Sequence, residues 1–403
     1  MLNRTRNISI ILFFLLFFIW IGSRLYSYFL DASYPQITVN GLSDNGFYSG
    51  DLQFLVKGKD DYKVADISIW LDDNSIVNKF KINKKEFEYQ LPVPGKSLPN
   101  GRHKLKIQIT DGSYKKNTTV QEYAFVIDNT PLQAAFVRPA TEFKVFQGAT
   151  LHIQFQSNKE IKEAKINIFA KTYECIPESQ SSLIYECFIP VPCEEIPNEY
   201  PLTIEVLDKT GNYITLNSKL QVMPYPFKKQ ILSVSKEQIK MEEEVSNKQQ
   251  LLEAELEDLY KKSPKQKLWQ GGEFYIPIDM SRISCGFGTK RITQEKGCYM
   301  HKAIDLAGVP KTVVWAPQDG IVVVKNRYAS SGNTIVIDHG LGIFTLLFHL
   351  DNFANINVGD KVKRGNPVGT MGKTGYATGY HLHWEMRINN IPVDPMQWTK
   401  YDF

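Results

Sequence analysis

Four stretches of the chain differ in how apolar and polar positions alternate. The first is an unbroken apolar run, Ile8 to Gly22 (ISIILFFLLFFIWIG), with Arg4 and Arg6 before it and Ser23, Arg24 and LYSYFL after it. Its fifteen uncharged residues fall short of the roughly 20 that cross a bilayer, but Arg24 can snorkel and Tyr26, Tyr28 and Phe29 suit the interface. Residues 1–30 therefore read as a signal-anchor or transmembrane segment. A cleaved signal peptide is the competing reading, although no A-x-A-like site follows the run. Either way the two arginines keep the N-terminus on the cytoplasmic side, so everything after residue 30 is exported.

From Pro35 to about Asn129 short alternating runs, such as Ile67-Ser-Ile-Trp70 and Lys104-Leu-Lys-Ile-Gln-Ile109, lie between turn clusters like Ser43-Asp-Asn-Gly46 and Asp111-Gly-Ser113. Period-two runs at this spacing predict a β-sandwich. The next hundred residues repeat its ending. Pro99-Asn-Gly-Arg-His-Lys-Leu-Lys-Ile-Gln-Ile-Thr-Asp111 resembles Pro197-Asn-Glu-Tyr-Pro-Leu-Thr-Ile-Glu-Val-Leu-Asp208, and each is followed by a Gly turn and another strand-like run. Two tandem modules resembling immunoglobulin-like sandwiches, 33–129 and 130–226, are expected to meet near Asp128-Asn-Thr-Pro131. The composition then shifts. Residues 228–262 contain no Gly or Pro and are rich in Glu, Lys, Gln and Leu, which predicts a helical linker over 227–265 ended by Ser263-Pro264. Val245, Leu252, Leu256 and Leu259 form a stripe without sustained heptads, so the simplest expectation is a solvated charged helix; a partner-binding or autoinhibitory role is the sharper one.

Composition adds limits. The 403 residues exceed one ordinary core, and 43% apolar with 22% charged residues is globular. A net charge of +4 with no long Lys/Arg block gives no reason to expect a nucleic-acid partner. The 12% aromatic content agrees with a mainly β fold. Cys175, Cys187 and Cys193 form one cluster and Cys285 and Cys298 another, without a C-x-x-C pair. In an exported chain disulfides are permitted, and a Cys285–Cys298 bridge would contribute about 3 kcal/mol on the chain-entropy account; two free structural thiols are the alternative.

Five of the seven histidines, His301, His339, His349, His381 and His383, fall in roughly the last quarter of the chain. His381-Leu-His383 sits in the strand-like run Tyr380-His-Leu-His-Trp-Glu-Met-Arg-Ile388, where period two puts both imidazoles on one face. One can bind a metal while the other faces the reacting group. His301-Lys-Ala-Ile-Asp305 also keeps an even spacing, which aligns imidazole and carboxylate if the segment is extended. Two nitrogens and one oxygen leave the fourth position of a tetrahedral Zn2+ open, the arrangement that serves hydrolysis. No H-E-x-x-H occurs, so a histidine rather than a helix-borne Glu must move the proton.

The residues around these histidines resemble the lysostaphin-like (LytM-type) zinc endopeptidases of bacterial cell walls, metallopeptidase family twenty-three, over about 130 residues from Leu268 to Trp398. The family's H-x-G-x-D is similar to His301-Lys-Ala-Ile-Asp305, its A-x-x-D/N-G-x-V to Ala316-Pro-Gln-Asp-Gly-Ile-Val322, and its G-N-x-I/V-x-I-x-H-G to Gly332-Asn-Thr-Ile-Val-Ile-Asp-His-Gly340. Thr345-Leu-Leu-Phe-His-Leu350 resembles T-x-Y-x-H-L, Val358-Gly-Asp-Lys-Val362 resembles V-G-D-x-V, and Ala377-Thr-Gly-Tyr-His-Leu-His-Trp-Glu385 resembles S/A-T-G-x-H-L-H-W/F-E. The resemblance implies an antiparallel-β peptidase domain over 266–403. It implies His301, Asp305 and His383 as zinc ligands, His381 as general base, and His349 as the group that orients water or stabilises an oxyanion. His339 receives no chemical role and reads as structural. Ala303 stands where the family has Gly, and Leu347 where it has Tyr; neither removes a ligand.

The expected protein is thus a cell-wall endopeptidase of the bacterial envelope. It would be anchored in the inner membrane with its bulk on the periplasmic or extracytoplasmic side, acting on stem peptides or cross-bridges of peptidoglycan. The alternative with the same fold is a catalytically inactive envelope scaffold or amidase activator. A biotinyl- or lipoyl-type carrier would leave the histidine cluster unexplained, and an adhesin would rest on the two sandwich modules alone.

Overall fold

The computed structural model describes residues 2–139, 143–231, 251–293 and 297–401. The fold is mainly β, with 53% strand against 11% helix. A helix spans Leu2–Leu30. It is long and apolar enough to cross a membrane by length and composition, and from Ile11 to Trp20 its side chains are covered by nothing else in the chain. The backbone separates into two compact units, Met1–Leu132 with Asp208–Asn212, and Gln133–Leu207 with Tyr213–Phe403.

In the first unit a six-stranded sheet runs Gln36–Asn40, Leu52–Leu71, Gly101–Asp111, Thr118–Ile127, Gly46–Tyr48, with Asn74–Val93 paired to Leu52–Leu71. All neighbours are antiparallel except Gly46–Tyr48 beside Thr118–Ile127. The alternation seen in the sequence is that of the core: Leu105, Ile107 and Ile109 are fully buried against Phe54, Ile67, Ile69 and Phe125. The repeated sequence ending is a repeated structure. Gly101–Asp111 and Glu199–Asp208 are both strands that bury every second residue toward a final aspartate. Asp111 accepts from Ser113 N and Oγ, and Asp208 from Thr210 N and Oγ1, so each aspartate closes the turn that follows it.

The second unit contains an eight-stranded sheet ordered Ala134–Phe136, Thr150–Ser157, Ile184–Pro190, Lys171–Pro177, Ile161–Ile168, Glu199–Asp208, Tyr213–Met223, Lys144–Phe146. Within the same unit the C-terminal region builds a ten-stranded sheet on the path Arg282–Cys285, Ile304–Ala307, Leu382–Ile388, Ile343–Phe353, Gly332–Asp338, Gly320–Tyr328, Lys361–Val362. Phe188 of the eight-stranded sheet packs with Trp269, Phe274, Met386 and Trp398 of the C-terminal region. Thr150 and Gln397 exchange two hydrogen bonds of 2.6 and 2.8 Å, and Trp398 Nε1 donates to Thr150 Oγ1.

Two expectations change here. The segment expected to be a helical linker starts as a strand, Lys229–Ile231, parallel to Thr289–Thr293, because its main chain completes the edge of a small three-stranded sheet with Gly297–His301. Residues 232–250, Val245 among them, lie outside the described residues. Residues 251–262 are helical, but the helix is not solvated all round. Leu252 and Leu256 are fully buried against Val324, Val336, Phe344, Leu346 and Phe348, with Leu259 and Tyr260 beside them, so the stripe read from the sequence docks on the ten-stranded sheet. The second change concerns the thiols. All five cysteines are free: Cys285 lies buried in the ten-stranded sheet, whereas Cys298 is exposed on the three-stranded one, so the conditional Cys285–Cys298 bridge is absent.

Because Leu256 leaves a cavity when shortened, Leu256→Ala is expected to cost about 2–4 kcal/mol in denaturant unfolding of the full chain. Leu251, 70% exposed on the same helix, should tolerate the same change with little effect.

Candidate metal centre

Strand register assembles the site. Cys285 pairs with Asp305, Asp305 with His383, and His383 with Phe348 across four adjacent antiparallel strands. Residues opposite one another share a face of the sheet, so the four side chains form one row. Along Leu382–Ile388 the alternation sends Leu382, Trp384 and Met386 into the cores, and His383, Glu385 and Arg387 to the face of that row.

His301 arrives by a different route from the one its spacing suggests. It ends the strand Gly297–His301 of the three-stranded sheet, and the chain bends through Lys302 and Ala303 before Ile304–Ala307 begins in the other sheet. No continuous extended face carries His301 and Asp305. Convergence comes from the bend, which leaves His301 Nε2 3.2 Å from Asp305 Oδ1. Ala303 is fully buried at that bend. His349 also breaks a pattern. Its φ is +62°, and the register between Gly332–Asp338 and Ile343–Phe353 shifts there. A bulge of this kind re-aims one side chain, so that Phe348 and its neighbour His349 both reach His383.

The described structure brings all five sequence-predicted residues together around Asp305. His383 Nδ1 lies 2.9 Å and His381 Nε2 3.8 Å from Asp305 Oδ1. The ring centre of His349 is 4.8 Å from that of His381 and 5.8 Å from that of His383. His381 and His349 each set Nδ1 against a main-chain carbonyl, Gly379 O at 2.9 Å and Thr374 O at 2.8 Å. A carbonyl can only accept, so Nδ1 carries a proton in both, and in the neutral ring Nε2 is then the nitrogen with the lone pair. His339 is elsewhere: fully buried, its two ring nitrogens bond Asp319 O and Thr345 Oγ1, and burial pushes its pKa down to about 4.

The charges are strongly coupled. Burial opposes the charged form of Asp305, yet the His301 and His383 imidazoles hold its carboxyl well below the usual range. Burial likewise opposes a charged His383, but the Asp305 and Glu385 carboxylates raise it to about 9. Burial, reinforced by the facing His383 and His381, pushes His349 down to about 3, so it is neutral at neutral pH. His301 is buried, and beyond the 3.2 Å approach of Nε2 to Asp305 Oδ1 neither ring nitrogen has a well-aligned hydrogen bond among the described residues. Unsatisfied imidazole nitrogens are costly to bury, and here they sit beside a carboxylate and another imidazole. That donor set fits a divalent metal: His301, Asp305 and His383 could hold it, with His383 Nε2 bonded to Glu385 Oε1 at 3.1 Å in the carboxylate–histidine arrangement that orients metal-binding imidazoles.

Residues 299–395 match the model of peptidase family M23. The C-terminal domain is a peptidase family M23 domain. Among similar proteins, the DD-carboxypeptidase/endopeptidase Mpg of Neisseria meningitidis is 37% identical over 127 residues, 32% of this chain and 29% of that protein. The peptidoglycan DD-endopeptidase ShyC of Vibrio cholerae is 33% identical over 120 residues, 30% of this chain and 28% of that protein. The chain thus matches under a third of the length of these curated relatives. The solved catalytic domain of the antimicrobial peptidase lysostaphin from Staphylococcus simulans is 29% identical, covering 33% of this chain and 93% of its own, with a TM-score of 0.24.

Several residues of the M23 domain's site have no role assigned from sequence. Arg291 Nη2 donates to Asp305 Oδ2 at 3.1 Å. Cys285, His301 and Asp305 each bring a ligand-capable atom within 4.8 Å of the others, and although burial opposes it, the imidazole of His301 lowers the Cys285 thiol pKa. Glu385 accepts from Arg387 Nε at 2.7 Å, and Arg387 is clamped from the other side by both carboxylate oxygens of Glu253 on the helix. The period-two rule that aligned His381 with His383 extends to Glu385 and Arg387, so that signal was present. Nothing local marks Arg291, Cys285 or Thr374. Leu347, where the family has Tyr, is fully buried in the domain core.

A histidine whose pKa is raised on folding stabilises the protein fully below its unfolded value of about 6.5 and loses that contribution as pH rises through the folded value. The metal-free protein should therefore lose stability between about pH 6.5 and 9, followed by thermal unfolding in chelator. His383→Gln should flatten that slope.

Proposed function

We propose that the C-terminal domain is a zinc endopeptidase that hydrolyses peptide bonds of peptidoglycan, with His301, Asp305 and His383 as the zinc ligands and His381 and His349 as the catalytic residues. The observation that carries this reading is the meeting of three histidines at one carboxylate oxygen, Asp305 Oδ1, with His301 Nε2 at 3.2 Å, His383 Nδ1 at 2.9 Å and His381 Nε2 at 3.8 Å.

Zinc bound there supplies Lewis-acid polarisation of the scissile carbonyl and acidification of water. The remaining work belongs to side chains. His381, proton fixed on Nδ1 by Gly379 O, takes a proton from the attacking water on Nε2 and can return it to the leaving amine. His349, neutral and anchored by Thr374 O, offers Nε2 as an acceptor. That tautomer suits orienting the water rather than donating to an oxyanion. Glu385 holds the His383 ring, and Arg387 with Glu253 holds Glu385.

An exported topology, as the charge pattern around the N-terminal helix suggests, would bring the domain to peptidoglycan. The N-terminal helix serves as the membrane anchor. Relatives named for DD-endopeptidase activity direct the assay to the DD bond of cross-linked peptidoglycan.

Full-length protein in detergent, incubated with purified sacculi, should release muropeptides whose masses identify the bond cut, and chelator should stop release until zinc is restored. His381→Ala should retain zinc by elemental analysis while kcat falls by about 10²–10⁴. His383→Ala should lose zinc and activity together. Equal products from native and His383→Ala protein would leave the inactive-scaffold reading in its place.

A further inference from the structure

Far from the histidines in sequence, three carboxylates meet where the N-terminal helix joins the first β module. Asp31, Asp60 and Asp111 each bring a carboxylate oxygen within 4.8 Å of the others. Asp60 is 5% exposed and Asp111 1%. We propose that these three aspartates form a calcium site that ties the end of the helix to the module.

Local turn chemistry accounts for only part of each side chain. Asp31 Oδ1 accepts from Ser33 N and Oγ, and Asp60 Oδ1 from the Tyr62 and Lys63 main-chain N–H groups. Asp111 closes its turn through Ser113 and Asn117. These bonds leave Asp31 Oδ2 and Asp60 Oδ2 buried with no hydrogen-bond partner among the described residues. Buried anionic oxygens gathered this closely need a compensating charge. Lys63, whose main-chain N–H bonds Asp60, lays its stem over Gly112 and sets its amine 5.6 Å from the centre of the Tyr62 ring, and it forms no ion pair with the three aspartates among the described residues. A shared proton is the remaining alternative, and burial together with the charges of Asp31 and Asp111 does raise the pKa of Asp60.

The donor chemistry selects the cation. Only oxygens converge, with no imidazole or thiol, which suits a hard ion. Asn117 Nδ2 donates to Asp111 Oδ2 and to the carbonyls of Ser33 at 2.9 Å and Asp31 at 3.5 Å, which holds the chain after the helix against the turn at Asp111. Three carboxylates, from the helix end, a long strand and the end of another strand, make an irregular oxygen cluster of the kind that Ca2+, which completes six to eight ligands with water, accepts more readily than octahedral Mg2+. Asp31 follows directly on the helix Leu2–Leu30, and Tyr114 N donates to Tyr28 O beside it, so a bound ion would stiffen this junction.

Calorimetric titration of the zinc-loaded full-length protein with Ca2+ is expected to show one additional site per chain, in or below the ~10⁻⁴–10⁻³ M range of extracellular calcium modules. Ca2+ should also raise Tm, and Tb3+ at the site should be sensitised by Tyr28, Tyr62 and Tyr114. Asp60→Asn keeps the Oδ1 acceptor and removes one charge. It should abolish the Ca2+ heat and the Tm response, while its Tm without calcium equals or exceeds that of the native protein. Asp31→Asn, half-buried and outside the sheet, gives a second variant with the same expected loss. A native protein with no heat or Tm change up to ~10 mM Ca2+, well above that range, overturns the proposal in favour of a shared proton. So does a Ca2+ response that survives in Asp60→Asn, and equal affinity for Mg2+ overturns the choice of calcium. None of these readouts depends on peptidase activity.

Discussion

Asp305 and His383 face one another across two antiparallel strands, and a slip of one residue in that pairing would leave the two side chains on opposite surfaces of the sheet. The packing on either side guards the register. Leu382 and Trp384 are fully buried on one face with Ile304 and Leu306, so a slip would drive charge into that core and bare two large side chains on the other. The polar cluster therefore does not need to be stable by itself. Its cost, a buried carboxylate among imidazoles, is borne by an apolar layer whose alternation admits one arrangement.

The helix over residues 251–262 acts on the same point from behind. Its leucines pack against Phe348, whose ring stacks on His383 at 5.1 Å and 4°. Its Glu253 grips Arg387, which grips Glu385, which bonds His383. One contact is dispersive and the other ionic, and they fix the same imidazole in two directions: ring plane and ring rotation. Precise metal geometry depends on such supporting contacts.

Much of this was legible in the sequence. The β-rich character, the N-terminal apolar run and the repeat ending at Asp111 and Asp208 followed from period and turn residues, and the five polar positions were named from their flanking motifs. What the sequence obscured was long-range. The even spacing of His301 and Asp305 suggested one extended face, whereas a bend between two sheets brings them together. His349 could be named from its motif, but the left-handed backbone that aims it is written in no residue preference. The stripe Leu252–Leu256–Leu259 was visible, yet its partner is a sheet that begins far downstream, so it read as solvated. Arg291 and Asp60 likewise depend on neighbours distant in the chain, which local periodicity does not encode.

The docked helix bears on where the peptidase begins as a folding unit. A fragment started at residue 266, where the family-like motifs begin, would uncover Val324, Val336, Phe344 and Leu346 together and strip one of the two carboxylates from Arg387. An apolar patch on a sheet face invites self-association during expression, and an M23 domain cut there would be prone to precipitate for reasons unrelated to its histidine cluster. The residues ahead of the recognisable motifs are part of the domain's solubility.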